Sequence, residues 1–232
     1  PLGYQTEHVV AISTRDLKKE NKTTETVFRD ALLSHPAVIS TTWLNHPLNN
    51  DMSLSTYVTY RGEPEQRAEG ISIDYDLFKT LDIKLVAGRE YNRDFPTDQK
   101  EAVIVNEALV QKFGIEDPVG KTIKYSGSKE RTIIGVVQNF HFRSLHHKVA
   151  PAVLPLSTST GRLLVRIHPE NVPGTIAFIK EQWEKVALNQ TFNFSFIDEN
   201  LDKQYKKEER WNQMIQYATG FAIFIAALGA FG

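Results

Sequence analysis

Two stretches near opposite ends of the chain carry the same strand–helix–strand pattern, and that duplication constrains the fold more than any other feature. In the first, "HVVAIST" (8–14) reads as a strand, followed by "TTETVFRDALLSH" and then "AVISTTWL" (37–44) as a second strand. The helical spacing places Val27, Phe28, Ala31 and Leu32 on one face, with Thr23 or Thr24 as N-cap and Pro36 closing the helix. In the second, "RLLVRIH" (162–168) is a strand and "VPGTIAFIKEQWEKVA" puts Ile176, Ile179, Trp183 and Val186 at helical spacing. "TFNFSFID" (191–198) then alternates Phe192, Phe194 and Phe196 on one face of a strand. Two βαβ units so far apart predict an α+β chain whose ends meet as a split ferredoxin-like sandwich, with the middle inserted as a separate lobe.

The middle reads mostly as β. "LSTYVTYRG", "RAEGISID", "EAVIVN" and "PAVLPL" are strand-like, and "KTIKYSGSKERTIIGVV" folds as a hairpin over Ser126-Gly127-Ser128. "NEALVQKFG" is a short helix capped by Asn106 and ended by Gly114. The expected boundaries are 1–50 with 160–198 for one lobe and 51–159 for the inserted lobe, "HPLNNDMS" (46–53) being a linker between them.

Composition excludes several classes. With 41% hydrophobic and 24% charged residues, the chain can bury a sizeable core. A net charge of −1 leaves no footprint for nucleic acid. The absence of cysteine removes disulfides, thiolate chemistry and Cys-ligated zinc together.

Motifs that suggest catalysis fail on mechanical grounds. "GIEDPVGKT" (114–122) ends like a phosphate-binding loop, but five residues separate Gly114 from Gly120 where four are needed, and Pro118 has no N–H to offer. It also follows a helix and opens a strand, the reverse of such a loop, so no nucleotide or other cofactor is expected. "SGSK" (126–129) has Ser-x-x-Lys spacing but lies on a hairpin tip instead of a helix start. "NFHFRSLHHK" (139–148) holds three of the seven histidines. His146 and His147 are adjacent, so on a regular element their side chains diverge, and His141 lies five positions away; a structural role is expected in place of a metal site. Phe140 and Phe142 alternate with Asn139, His141 and Arg143, giving one apolar and one polar face. No clustered acid–base set marks an envelope enzyme.

The order of "ISIDYDLFKTLDIKLVAGREYNRDF", "EAVIVNEALVQKFGIEDPVGKTIKY", "IIGVVQNFHFRSLHHKVAPAVL" and "FIDENLDKQYKKEERWNQM" resembles the MacB-like periplasmic core domain of FtsX-like ABC transporter permeases. The specific parts are Tyr75, Phe78 and Leu81 before Gly88-Arg89, Asn106-Glu107, Pro118 with Gly120-Lys121, and Gly135-Val136-Val137 with the Phe140-His141-Phe142 run. The resemblance implies a porter-like lobe, an inserted β-rich lobe of the Sabre type, and a stalk leading into a permease helix. It further implies that ATP is hydrolysed on a separate cytoplasmic ABC subunit, and that this domain sits on the periplasmic side of the inner membrane. A permease dimer and a periplasmic adaptor, or a lipoprotein or peptide substrate, are the other partners it implies.

The C-terminus agrees with a membrane setting. "YATGFAIFIAALGAFG" (217–232) carries no charge and reads as the start of a transmembrane helix, for which roughly 20 apolar residues are needed. Pro1-Leu-Gly lacks an initiator methionine and a signal peptide's basic start, so the sequence reads as a segment of a longer one. Residues 199–216 read as a stalk helix whose stripe of Leu201, Tyr205, Trp211 and Ile215 is a candidate coupling interface. The other function compatible with this layout is a membrane-anchored extracytoplasmic ligand sensor.

Overall fold

The computed structural model describes residues 2–14, 22–44, 55–127, 129–142, 148–157, 161–187, 190–198, 214–215 and 219. In chain order the elements are β1 (Val9–Ser13), α1 (Lys22–Leu33), β2 (Val38–Leu44), β3 (Ser55–Thr59), β4 (Gln66–Gly70), α2 (Leu77–Leu81), β5 (Leu85–Gly88) and α3 (Asp98–Glu101). There follow β6 (Ala102–Asn106), α4 (Glu107–Lys112), β7 (Thr122–Tyr125), β8 (Arg131–Val137), β9 (Ala152–Leu154), β10 (Arg162–Ile167), α5 (Val172–Val186) and β11 (Phe194–Phe196).

The two βαβ patterns interleave in one sheet of order β11-β1-β10-β2, antiparallel at every step. β10 therefore lies between β1 and β2, and β1 lies between β10 and β11, which is the ferredoxin-like arrangement. Helices α1 and α5 cover one face. Phe28, Leu32, Ile179 and Trp183 are buried there against Val10, Ile12, Leu163, Val165 and Ile167. Successive strand residues point to opposite faces. Val9, Ala11 and Leu164 accordingly enter a second core on the other side. Burial on both faces explains why "VVAI" and "LLV" are apolar without a break.

Helix α1 departs from its expected face. Phe28 and Leu32 are fully buried and Ala31 is half-buried, but Val27 is 52% exposed and Glu25 is buried in its place. The inward stripe runs through 25, 28 and 32, a spacing of three and four, and Val27 falls about 100° from Phe28 around the axis. The helix begins at Lys22, so Thr23 and Thr24 belong to its first turn.

The middle of the chain forms a seven-stranded sheet of order β5-β8-β6-β9-β4-β3-β7. β7 pairs with β3 and also with β8, so six strands close into a ring and β5 continues along β8. Val58, Val103, Val105, Ile123, Ile133 and Val153 fill its core, and Leu109 of α4 packs against them. Asn106 caps α4 as its position predicts, accepting the Leu109 N–H at 3.0 Å. The same oxygen accepts the Ala152 N–H at 2.8 Å, and the amide donates to Ala150 O at 2.9 Å, so one buried side chain ties α4 to β9.

Tyr91 is a second buried tie. Its hydroxyl donates to Leu154 O at 2.8 Å and accepts the Ile104 N–H at 3.2 Å, linking β9 and β6. Burial raises its pKa far above the ordinary phenol value and keeps it a donor. Tyr91→Phe strands a buried carbonyl and a buried N–H, and should lower stability by about 1–3 kcal/mol in denaturant titration. A variant as stable as the parent would show that the hydroxyl is not a tie.

Candidate functional site

The part of the molecule where segments most distant in sequence meet is the junction between the two sheets. Ile73 forms bridges with Leu44 at the edge of the four-stranded sheet and with Leu156 beyond β9. One residue therefore makes the sheets nearly continuous. Its neighbour Asp74 accepts the Trp43 N–H at 3.2 Å and the Tyr75 N–H at 2.8 Å, capping edge strand β2. Burial raises the Asp74 pKa above the usual carboxylate value; the two backbone donors, then Arg29 with its Nη1 at 3.8 Å, pull it back down.

Below this bridge α2 covers the second face of the four-stranded sheet with Leu77, Phe78 and Leu81, which share one core with Val9, Leu44 and Leu164. Arg166 of β10 reaches across it, donating from Nε to Thr80 O at 2.7 Å and from Nη2 to Gln5 O at 3.4 Å. Gln5 in turn donates its N–H to Leu81 O at 2.7 Å. The lobes therefore share a packed and hydrogen-bonded interior.

The described start of the histidine-rich run, residues 139–142, belongs to this interior. Phe140 and Phe142 are buried in the shared core, edge-on to each other at 5.7 Å, and Tyr4 meets Phe140 edge-on at 6.3 Å. Asn139 accepts the Ala108 N–H at 2.9 Å, while its own N–H donates to Glu107 at 2.9 Å. His141 donates its backbone N–H to Leu2 O at 2.8 Å, and burial lowers its imidazole pKa. His146 and His147 lie outside the described residues. Segment 114–122 follows α4 and leads into β7, with the Gly120 N–H donated to Ile133 O at 2.8 Å.

The sequence reading missed Ile73, Asp74, α2 and Arg166 as junction elements. Only Arg166 carried a local signal: a charge on the strand face it shares with Leu164, directed into a core. Of the candidate coupling residues, Leu201, Tyr205 and Trp211 lie outside the described residues, as do the linker at 46–53 and all of 217–232 except Thr219. Ile215 is helical and 58% exposed. Among the described residues no helix is long and apolar enough to cross a membrane.

The family model of the MacB-like periplasmic core domain matches residues 13–181, most of the two-sheet architecture. The chain belongs to that family. It carries a MacB-like periplasmic core domain. The periplasmic region of MacB from Actinobacillus actinomycetemcomitans has the same fold at 15% identity, with a TM-score of 0.61, covering 88% of this chain and 94% of that one. The extracellular domain of the noncanonic ABC-type transporter YknZ from Gram-positive bacteria matches at 14% identity and a TM-score of 0.54, covering 81% of this chain and 98% of that one. No curated protein sequence matches significantly. Within the matched span of this MacB-like domain lie Gly88-Arg89, Asn106, Gly135 and the Phe140–Phe142 run, each of which holds two segments together in the fold.

Proposed function

We propose that this domain couples ATP hydrolysis on a separate cytoplasmic subunit to mechanical export or extraction of a substrate in the envelope, with the permease seated in the inner membrane. The observation that carries the reading is the pairing of β1 with β11. Val10 lies opposite Phe196 and Ile12 opposite Phe194, antiparallel, so the start of β1 and the end of β11 are at the same end of the sheet. A domain held at one end by both its entering and its leaving strand moves as those two segments move. The shared core at the junction supports this, because a packed interior passes displacement on with little slack.

The stalk at 199–216 is the segment assigned to transmit that displacement, with the stripe of Leu201, Tyr205, Trp211 and Ile215 as its contact face. Proline at Arg210 would break a helix there at a local cost of about 3 kcal/mol or more. In the full permease with its ATPase subunit, Arg210→Pro should cut transport-coupled ATP hydrolysis by roughly tenfold, the scale of a typical coupling free energy. The melting temperature of the two lobes should not change. Full activity in a membrane-embedded assay would reduce the stalk to a tether and overturn the coupling role.

A further inference from the structure

A cleft of about 290 Å³ opens where the β3–β4 turn approaches β7, and its walls carry an excess of positive charge. Arg61, Lys121 and Lys124 line it, with Glu130 as its carboxylate, in a chain whose overall net charge is −1. Glu130 is already engaged: its Oε1 is 3.8 Å from the Lys124 ammonium, and its Oε2 accepts the Thr122 hydroxyl at 3.5 Å. Among the described residues, Arg61 and Lys121 meet no carboxylate. Three cations against one anion leave a local charge of +2.

The backbone holds these groups in place. Lys121 is half-buried, donating its N–H to Pro118 O at 3.1 Å and accepting the Ile133 N–H at 2.8 Å. Arg61 occupies the first central position of a tight turn, closed by the Glu63 N–H on Tyr60 O at 3.0 Å. Both central residues have positive φ, 52° at Arg61 and 79° at Gly62. Such a turn is least strained with Asn, Asp or Gly at its first position. This chain instead places a long cation there, its guanidinium 5.2 Å from the centre of the Tyr60 ring.

We propose that this cleft binds a phosphate monoester group. Such a group carries about −1.5 to −2 charge near neutrality and three acceptor oxygens, which match the +2 excess. Arg61 supplies a fork of N–H donors, Lys121 an ammonium, and Thr59 in the same wall a hydroxyl. The volume suits the phosphate and a short ester stem, and the Gly120 N–H is committed to Ile133, so this is a side-chain site unlike a nucleotide loop. The same chemistry could reach the cleft as a free phosphate ester or as a lipid headgroup.

Amide NMR titration of the chain at low ionic strength tests the site, with inorganic phosphate, glycerol phosphate and short-chain phosphatidic acid below its micellar concentration as probes. Saturable shifts at Arg61, Lys121 and Lys124 are expected. Arg61→Asn and Lys121→Gln should each weaken binding by roughly tenfold or more, while Lys180→Gln on α5 leaves it unchanged. Arg61→Asn should also melt no lower than the parent, since Asn suits the turn better; lost affinity with retained stability is the signature of a ligand role. Tighter binding of phosphatidic acid than of glycerol phosphate assigns a lipid headgroup, and equal binding assigns the free ester. Shifts that do not saturate, or that survive both substitutions, or that fall equally with Lys180→Gln, overturn the proposal.

Discussion

Trp183→Ala is expected to destabilise the domain by about 3–5 kcal/mol, the range for removing a large aromatic side chain from a core. The indole is 1% exposed, lies edge-on to Phe28 at 5.5 Å, and contacts the Phe192 ring at 6.0 Å. Its Nε1 donates to Gln190 O at 3.2 Å, which anchors the connection from α5 to β11. For a domain of this size the loss corresponds to a fall in melting temperature of roughly 10 °C. Calorimetry measures it directly, and a loss below about 1 kcal/mol would mean that α5 is not seated as described. Since Trp183 secures the approach to the strand beside β1, the variant should also loosen β11, seen as faster amide exchange at Phe196.

Gly135→Val is expected to be of comparable severity, for the opposite reason. Gly135 faces Gly88 across the β5–β8 pair, and the Arg89 N–H donates to Ile134 O at 2.9 Å beside them. A Cβ at Gly135 would collide with the backbone oxygen of Arg89 and lie 3.2 Å from Leu85 Cδ1. The obstacle is main chain, which cannot rotate aside, so the cost should reach the upper end for overpacking, about 3 kcal/mol or more. Gly88 faces the reciprocal clash with Ile134 O and also has a φ of +78°. Prising β5 from β8 would disturb the Arg89–Asp98 pair that follows it, where Nη1 and Nη2 donate to the two carboxylate oxygens at 2.6 and 2.8 Å. Solvent exchange of the Arg89 amide should rise with the loss of stability. A variant that melts with the parent would show that β5 can shift to make room.

Much of the fold was legible because periodicity reports burial. Phe28 and Leu32 recur at helical spacing, and Ile179 and Trp183 do the same on α5. The β-rich middle announced itself through short apolar runs, and Asn106 through its place before a helix. Val27 and Glu25 mark where periodicity no longer reports burial: hydropathy ranks a valine above a glutamate, but the angle at which α1 meets the sheet sets which side goes in. The α2 segment was too short for its period to show, and β5, with residues alternating between half-buried and exposed, lacks the apolar weight of a core strand.

What the sequence determined by itself is the strands and helices of the two βαβ units, the misfit of 114–122 to a phosphate loop, and the family, because each of these depends on residue types a few positions apart. The tertiary structure alone decided how the parts meet: Ile73 bridging both sheets, α2 beneath β1, β2 and β10, β7 closing the ring, and Arg61 brought to Lys121 across a cleft. Those contacts join residues tens of positions apart. Alternation along a strand states that a side chain is buried, but which surface buries it depends on pairing partners that only the folded chain selects.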